Sequence, residues 1–530
     1  MNKVNIFLSL FITLLLRGGI VAQTNAPDPF AQTIKADDLR AYLSVLTSDS
    51  LEGRETGKEG NFRAARYLQT QVAGFGIAPL AIGKEGATTY FQRMVYTNQS
   101  WDDIALKVND NTYRNMFNFY AFPSSNPSLA LLETNELVFL GYGIDDERYS
   151  DYKKNDVKGK VILIHKGEPM QGDSVSWVTG TKNLSNWSVD WRRKLATAQK
   201  YGAKCVLIID EDLAKSVQAG KKQFSPNSMG EIELPDGKFA NHVFISPEVA
   251  RDIIGKQAEK VIKARKKYWQ NGKPKAIDLK CKLVIRLKKN FRQVLGDNVL
   301  AFIEGSDPKL KHEIVVVSAH YDHLGKRGTS IYRGADDNGS GTSTVLEIAQ
   351  ALQVAKAQGK GTRRSVLCLW VTGEEMGLLG SNYYVNFPIF PLENTIADVN
   401  IDMVGRVDEK HKDNPNYIYV IGADKLSTEL DSVVHQVNLR YTNITLDYTY
   451  NDPNDPNRYY YRSDHYNFAK NGVPAVFYFN GTHDDYHRPS DSIEKINFEK
   501  MEKIAKLAFH TVWELANRNK RPEINVKPEK

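Results

Sequence analysis

The chain has 530 residues, of which 41 % are hydrophobic and 25 % charged, with a formal net charge of +7. That length is too great for one ordinary core, so two domains or more are expected, in a composition typical of soluble globular proteins. The positive charge is scattered, and its one denser stretch, 256–292, reads as a solvated helix face and strand edges, which argues against a nucleic-acid partner.

At the N-terminus, Lys3 precedes an apolar stretch over residues 6–16, followed by Arg17, two glycines and a small-residue site at Ala22. This is the pattern of a signal peptide, residues 1–22, and implies export, secreted or periplasmic. No cysteine follows the stretch, which argues against a lipid anchor. No other run of about eighteen apolar residues occurs, so no membrane span is expected once the signal is removed. The three cysteines, Cys205, Cys281 and Cys368, form no disulfide framework. Cys368, inside SVLCLWV, reads as a small buried hydrophobe.

Residues 23–35 read as a polar tail. From 36 to about 80 the spacing predicts two helices around the turn SDSLEGRETGKEG, with Gly74 and Gly76 closing the second. Residues 87–120 alternate as half-exposed strands do. Over 125–290 short apolar strands (ELVFLGYGI, GKVILIHKG, AKCVLIID) surround a few helices, as in a compact inserted domain without a concentrated set of ligand-type residues. From about 298 the pattern becomes strand–helix alternation. KHEIVVVSAH, RRSVLCLWVTG, IADVNIDMVG, YIYVIGA and VPAVFYFNG are the strands of an α/β domain with a largely parallel sheet. In such sheets ligands sit beyond the carboxyl ends of the strands, and His320, Glu374, Glu375 and Asp402 fall there.

Those residues lie in short motifs: HYDHLG (320–325), GADDNGSG (334–341), TGEEMGLLGS (372–381), NIDMVGR (400–406) and DYHRPSD (485–491). Singly, each has a plain alternative. Asp336 and Asp337 can form a turn before a helix, Glu374 and Glu375 an acidic helix start, and His487 a surface histidine. Together, two histidines, two aspartates and a glutamate pair are what a two-metal hydrolase needs. One carboxylate bridges the metals, each metal has two terminal ligands, and a further carboxylate stays free as a base. Other chemistries lack their motifs: there is no HExxH, no GxSxG elbow and no phosphate-binding glycine loop after a strand.

The five blocks, with LEGRETGKEGNFRAARYL and SDHYNFAKNGVPA, resemble the M28 family of co-catalytic zinc peptidases, and 125–290 resembles the protease-associated (PA) insert found in many members. The resemblance implies a zinc-peptidase, phosphorylase/hydrolase-like α/β fold divided as 36–124, the insert 125–290, and 291–520. It further implies two Zn2+ per chain, with His320 and Asp402 on one, Glu375 and His487 on the other, and Asp337 bridging. Glu374 would be the general base, acting on a metal-bridging water. Asp322 would orient the His320 imidazole, and Tyr486 would help hold the tetrahedral intermediate. A cis peptide between Asp337 and Asn338 belongs to the same pattern, whereas His323 and His465 are not ligands in it. The implied activity is that of an aminopeptidase acting on peptides. The alternatives are a carboxypeptidase or dipeptidase of the glutamate-carboxypeptidase type, for which Arg458 and Arg462 would read the substrate carboxylate, and an inactive receptor-like binding protein. A glutaminyl cyclase, with one zinc, fits the full ligand set less well.

Overall fold

The computed structural model describes residues 27–527 apart from 83–85, 128, 173 and 230–237; the expected signal peptide, residues 1–22, lies outside the described residues. The chain divides into two compact units, one of Met1–Arg93 with Gly296–Lys530 and one of Met94–Leu295.

The first unit is an α/β sandwich. Its strands β1 (Ile314–His320), β2 (Ser365–Val371) and β3 (Thr395–Ile401) are buried at every position. Burial on both faces without strict alternation is what a sheet covered on both sides requires, and the few polar residues within these strands are paired, as where the Ser318 hydroxyl donates to Asp398 and Asn400. β1 lies between β2 and β3 and is parallel to both. β6 (Ala475–Phe479) is parallel to β3, β4 (Tyr417–Ile421) is antiparallel to β6, and β5 (Thr445–Asp447) is parallel to β4. Residues 299–303 pair antiparallel with β2 and close the other side. The sheet is therefore mixed and mostly parallel.

Helices cover both faces. On one, α1 (Ala36–Leu46) inserts Leu39, Leu43 and Leu46, spaced one helical turn apart. Beside it, α2 (Glu59–Gly74) buries Ala64, Leu68 and Val72. α3 (Gly341–Ala357), α5 (Thr428–Val437) and α6 (Phe498–Asn517) complete this layer against Val315, Val317, Cys368, Trp370, Ala397 and Val399. Asn497 caps α6 by accepting from the Lys500 N–H. The alternate strand residues Ile314, Val316, Leu367 and Leu369 face Tyr384 and Val385 of α4 (Leu379–Asn386), together with Phe468. Strand alternation thus divides one apolar run between two cores.

The second unit, within which the expected insert 125–290 lies, is built on three parallel strands, Val161–His165, Cys205–Ile209 and Asn241–Ile245. Leu129–Phe139 extends them and pairs antiparallel with residues 277–287. The helices Trp191–Lys200, Pro247–Ile254 and Ala258–Asn271 pack on this sheet through two apolar clusters. All three cysteines are buried and unpaired. Among the described residues, no helix is long and apolar enough to cross a membrane.

Candidate metal centre

Loops at the carboxyl ends of four strands converge. His320 is the last residue of β1, and Glu374 and Glu375 follow β2 by three and four residues. Asp402 follows β3 directly, and His487 sits in the loop after β6. Asp337 comes from the tight turn Ala335–Ser340 ahead of α3, with the Asp337–Asn338 peptide cis, as the resemblance implied.

The five residues expected to hold metal come together as two clusters that share Asp337. His320 Nε2 lies 3.3 Å from Asp402 Oδ1 and 3.4 Å from Asp337 Oδ1. His487 Nε2 lies 3.1 Å from Asp337 Oδ2 and 3.3 Å from Glu375 Oε2. Asp337 therefore turns one oxygen to each imidazole. Donors bound to one tetrahedral ion at ~2.0–2.2 Å stand roughly 3.3–3.5 Å from each other, close to these histidine–carboxylate distances. Around the first site His320, Asp337 and Asp402 offer donors all within 4.8 Å of one another, and around the second His323, Asp337 and Glu375 do so as well.

The charge balance leads to the same conclusion. Asp322, Asp337, Glu374, Glu375 and Asp402 gather around His320, His323 and His487, and carboxylates withdrawn from water need cations nearby. Burial pushes the Asp337 carboxyl up, with Glu375 adding to the push, although His323, His487 and His320 oppose it. Burial likewise drives Glu374 well above the usual range; His320 opposes this, while Glu375, Asp402 and Asp464 reinforce it. For Glu375 burial acts upward too, but the contacts from His323 and His487 win and hold it below the usual range. Burial lowers the His487 pKa, yet Asp337 and Glu375 more than offset this and raise it to about 10. In His320 the same competition, with Asp402 and Asp322, also ends well above the ordinary value. Donors so strongly coupled, with acids and bases interleaved, are suited to share divalent cations.

Asp322 is arranged differently from a simple imidazole partner. Its carboxylate Oδ1 stands 3.6 Å from His320 Nδ1, while its backbone carbonyl is nearer, at 3.2 Å. The carboxylate accepts from the Glu374 N–H at 3.2 Å and the Glu375 N–H at 3.4 Å, and from the Thr56 hydroxyl at 3.0 Å. Tyr486 stacks on His487 with ring centroids 3.9 Å apart, and its oxygen accepts from Arg462 Nη2 at 3.2 Å. Asp337, Glu374 and Asp402 open into a cleft lined by Met403, Tyr459, Phe477, Phe479 and Tyr486, with Arg462 at its edge. Arg458 belongs to a different hollow, beside Asp452, Asp455 and Lys527.

Several supporting residues are not evident from the sequence. Asp336, which reads as a turn residue, is fully buried and ties three loops together. It accepts from the Gly405 N–H at 2.7 Å, the Asn480 amide at 3.0 Å and His483 Nε2 at 3.2 Å. Asp491 accepts from the backbone N–H groups of Asp336 and Asp337, all at 3.1 Å. Arg54, fully buried, donates to the carbonyls of Leu46, Tyr321, Arg333 and Gly334 at 2.6–2.9 Å, joining the HYDHLG and GADDNGSG segments. His323, expected to be structural, lies against Glu375, whereas His465 is buried and stacks on Phe477. The place of His323 inside HYDHLG and of Asp491 inside DYHRPSD is the only sequence signal for either.

Residues 298–512 match the model of peptidase family M28. Leucine aminopeptidase 1 of Trichophyton equinum is 32 % identical over 243 residues, 44 % of this chain and 61 % of that protein. Aminopeptidase YwaD of Bacillus subtilis is 29 % identical over 244 residues, 44 % of this chain and 48 % of that protein. The matches thus span less than two thirds of these relatives. Among solved structures, the aminopeptidase from Aneurinibacillus sp. strain AM-1 superposes with a TM-score of 0.53 at 19 % identity, over 95 % of this chain and 99 % of that one, which shows a shared fold.

Proposed function

We propose that this chain, whose residues 298–512 belong to peptidase family M28, is an exported dizinc aminopeptidase that releases N-terminal residues from peptides. The observation that carries this reading is the division of Asp337 between His320 and His487, one oxygen to each. In this reading His320, Asp402 and Asp337 hold one zinc, and Asp337, Glu375 and His487 hold the other. Two zinc ions held there supply a water of lowered pKa and a polarised scissile carbonyl.

The remaining steps fall to side chains. Glu374, between the clusters in charge terms and lining the cleft, takes the proton of the attacking water and returns it to the departing amine. Asp322 fixes the Glu374–Glu375 backbone, and its carbonyl sets the tautomer of His320. Arg462 donates to the Tyr486 oxygen. The phenolic hydrogen is then left free to donate to the oxyanion of the tetrahedral intermediate. Met403, Tyr459, Phe477 and Phe479 form an apolar wall suited to an apolar terminal side chain, in keeping with the names of the leucine aminopeptidase relatives. Residues 125–290 are read as the protease-associated insert and residues 1–22 as the signal for export.

One feature favours a second reading. Arg462 is the one cation lining the cleft among the described residues, and a guanidinium there suits a substrate carboxylate, as a carboxypeptidase or dipeptidase would require. The test of the main reading is metal content against turnover of a leucyl p-nitroanilide. Protein stripped by chelator and reloaded with Zn2+ regains activity in step with two zinc ions per chain. Activity that persists without metal overturns it.

A further inference from the structure

His323 lies beside the second cluster but outside the expected ligand set. Its side chain is fully buried, with Nδ1 2.8 Å from Glu375 Oε1 and 3.7 Å from Asp337 Oδ2. The other oxygen of Glu375, Oε2, faces His487 Nε2 at 3.3 Å. The two oxygens of this carboxylate are thus divided between two imidazoles.

We infer that His323 is a positioning residue for the second metal site: its Nδ1–H holds Oε1 of Glu375, so that Oε2 alone is presented beside His487 and Asp337. This rests on the reading of Asp337, Glu375 and His487 as metal ligands.

The tautomer follows from the surroundings of the ring. Nε2 is buried with no hydrogen-bond partner, whereas Nδ1 has a carboxylate oxygen at hydrogen-bonding distance. A proton on Nδ1 is used there, and one on Nε2 would be a buried donor with nothing to accept it. The same argument weighs against His323 as a third imidazole ligand. Binding a cation through Nδ1 would force the proton onto Nε2, whereas metal-bound histidines pass their second N–H to an acceptor.

The ring is also fixed in place. Its backbone N–H donates to the Arg54 carbonyl at 3.3 Å. On the other side Gly334 leaves it room: a Cβ there would stand 2.5 Å from His323 Cγ and 2.1 Å from the Asp337 carbonyl oxygen. Gly334, in the left-handed region at φ 55°, thus admits both the turn that carries Asp337 and the imidazole that holds Glu375.

The experiment is calorimetric titration of Zn2+ into the chelator-stripped full-length protein, for wild type, His323→Asn, His323→Gln and His323→Leu. An Asn amide nitrogen falls near the Nδ1 position, a Gln amide near Nε2, and Leu offers no donor. Wild type takes up two zinc ions. Gln and Leu are expected to weaken one of the two sites by about 10–100-fold and leave the other intact, and Asn to recover most of the loss. The visible spectrum of the Co2+-loaded Asn variant should match that of wild type, because no ligand has been lost. Wild-type affinity at both sites in Gln or Leu overturns the inference. So does an Asn variant as weak as Leu, or one with an altered Co2+ spectrum. A wild-type protein that binds no zinc instead overturns the metal reading itself.

Discussion

The Asp322 carboxylate accepts a hydrogen bond from the backbone N–H of Glu374 through Oδ1 at 3.2 Å, and Oδ2 faces the N–H of Glu375 at 3.4 Å. One side chain at the end of β1 thereby fixes the strand end that presents both the proposed base and a proposed ligand. Its influence on the reaction runs through the backbone of the glutamate pair as much as through the His320 ring.

Asp322→Asn therefore sets an amide NH2 against one of two N–H donors. The expected result is a kcat/KM about 10–100-fold below wild type, in a protein that still folds. Steady-state kinetics alongside circular dichroism check this, and unchanged kinetics would remove Asp322 from the machinery.

Glu374→Gln keeps the shape of the side chain and removes its basicity. Zinc content should match wild type while kcat falls about 10²–10⁴-fold. Metal analysis and kinetics on the same sample decide it, and a normal kcat rules out Glu374 as the base.

Arg54→Leu strands the carbonyls of Leu46, Tyr321, Arg333 and Gly334 without their donor. Buried unsatisfied groups cost ~1–3 kcal/mol each, so a loss of about 3 kcal/mol or more is expected in urea unfolding. A loss under about 1 kcal/mol would mean that water replaces the guanidinium.

Glu347 on α3 gives a pH signature separate from the metal centre. Burial, with Asp38 and Glu502 adding, pushes its carboxyl from 4.5 to about 8, although the Lys35 N–H opposes the shift. A folded-state pKa above the unfolded value means the folded protein holds a proton the unfolded chain has released. The stability from this group is complete below pH 4.5 and declines, by up to ~1.4 kcal/mol per pH unit, as pH rises to about 8. Glu347→Gln should flatten that part of the melting-temperature profile, and an unchanged slope between pH 5 and 8 would contradict it.

Much of this architecture is legible in the sequence, for identifiable reasons. β1, β2 and β3 are seven-residue strands, mostly apolar and buried throughout, and a ligand-type residue stands at or just beyond the end of each. Because open α/β sheets gather function at those ends, the convergence of His320, Glu375 and Asp402 could be anticipated. Arg54 could not, because its partners are backbone carbonyls from separate segments, and carbonyls leave no trace in residue identity. Asp336 resembles a turn aspartate because the groups that donate to it, from Gly405, Asn480 and His483, are brought near only by the fold. Residues 87–120 carry the alternation of half-exposed strands. That pattern reveals strand character but not which unit a strand joins, and from Met94 onward these residues belong to the unit Met94–Leu295.

The most direct test of the central claim compares leucyl p-nitroanilide with its N-acetylated counterpart, and free peptides with N-blocked ones, each with chelator and with Zn2+ restored. The account predicts release from the free-amine substrates only, abolished by chelator and recovered with zinc. Cleavage of N-blocked peptides from the carboxyl end, or hydrolysis indifferent to chelator, would contradict it.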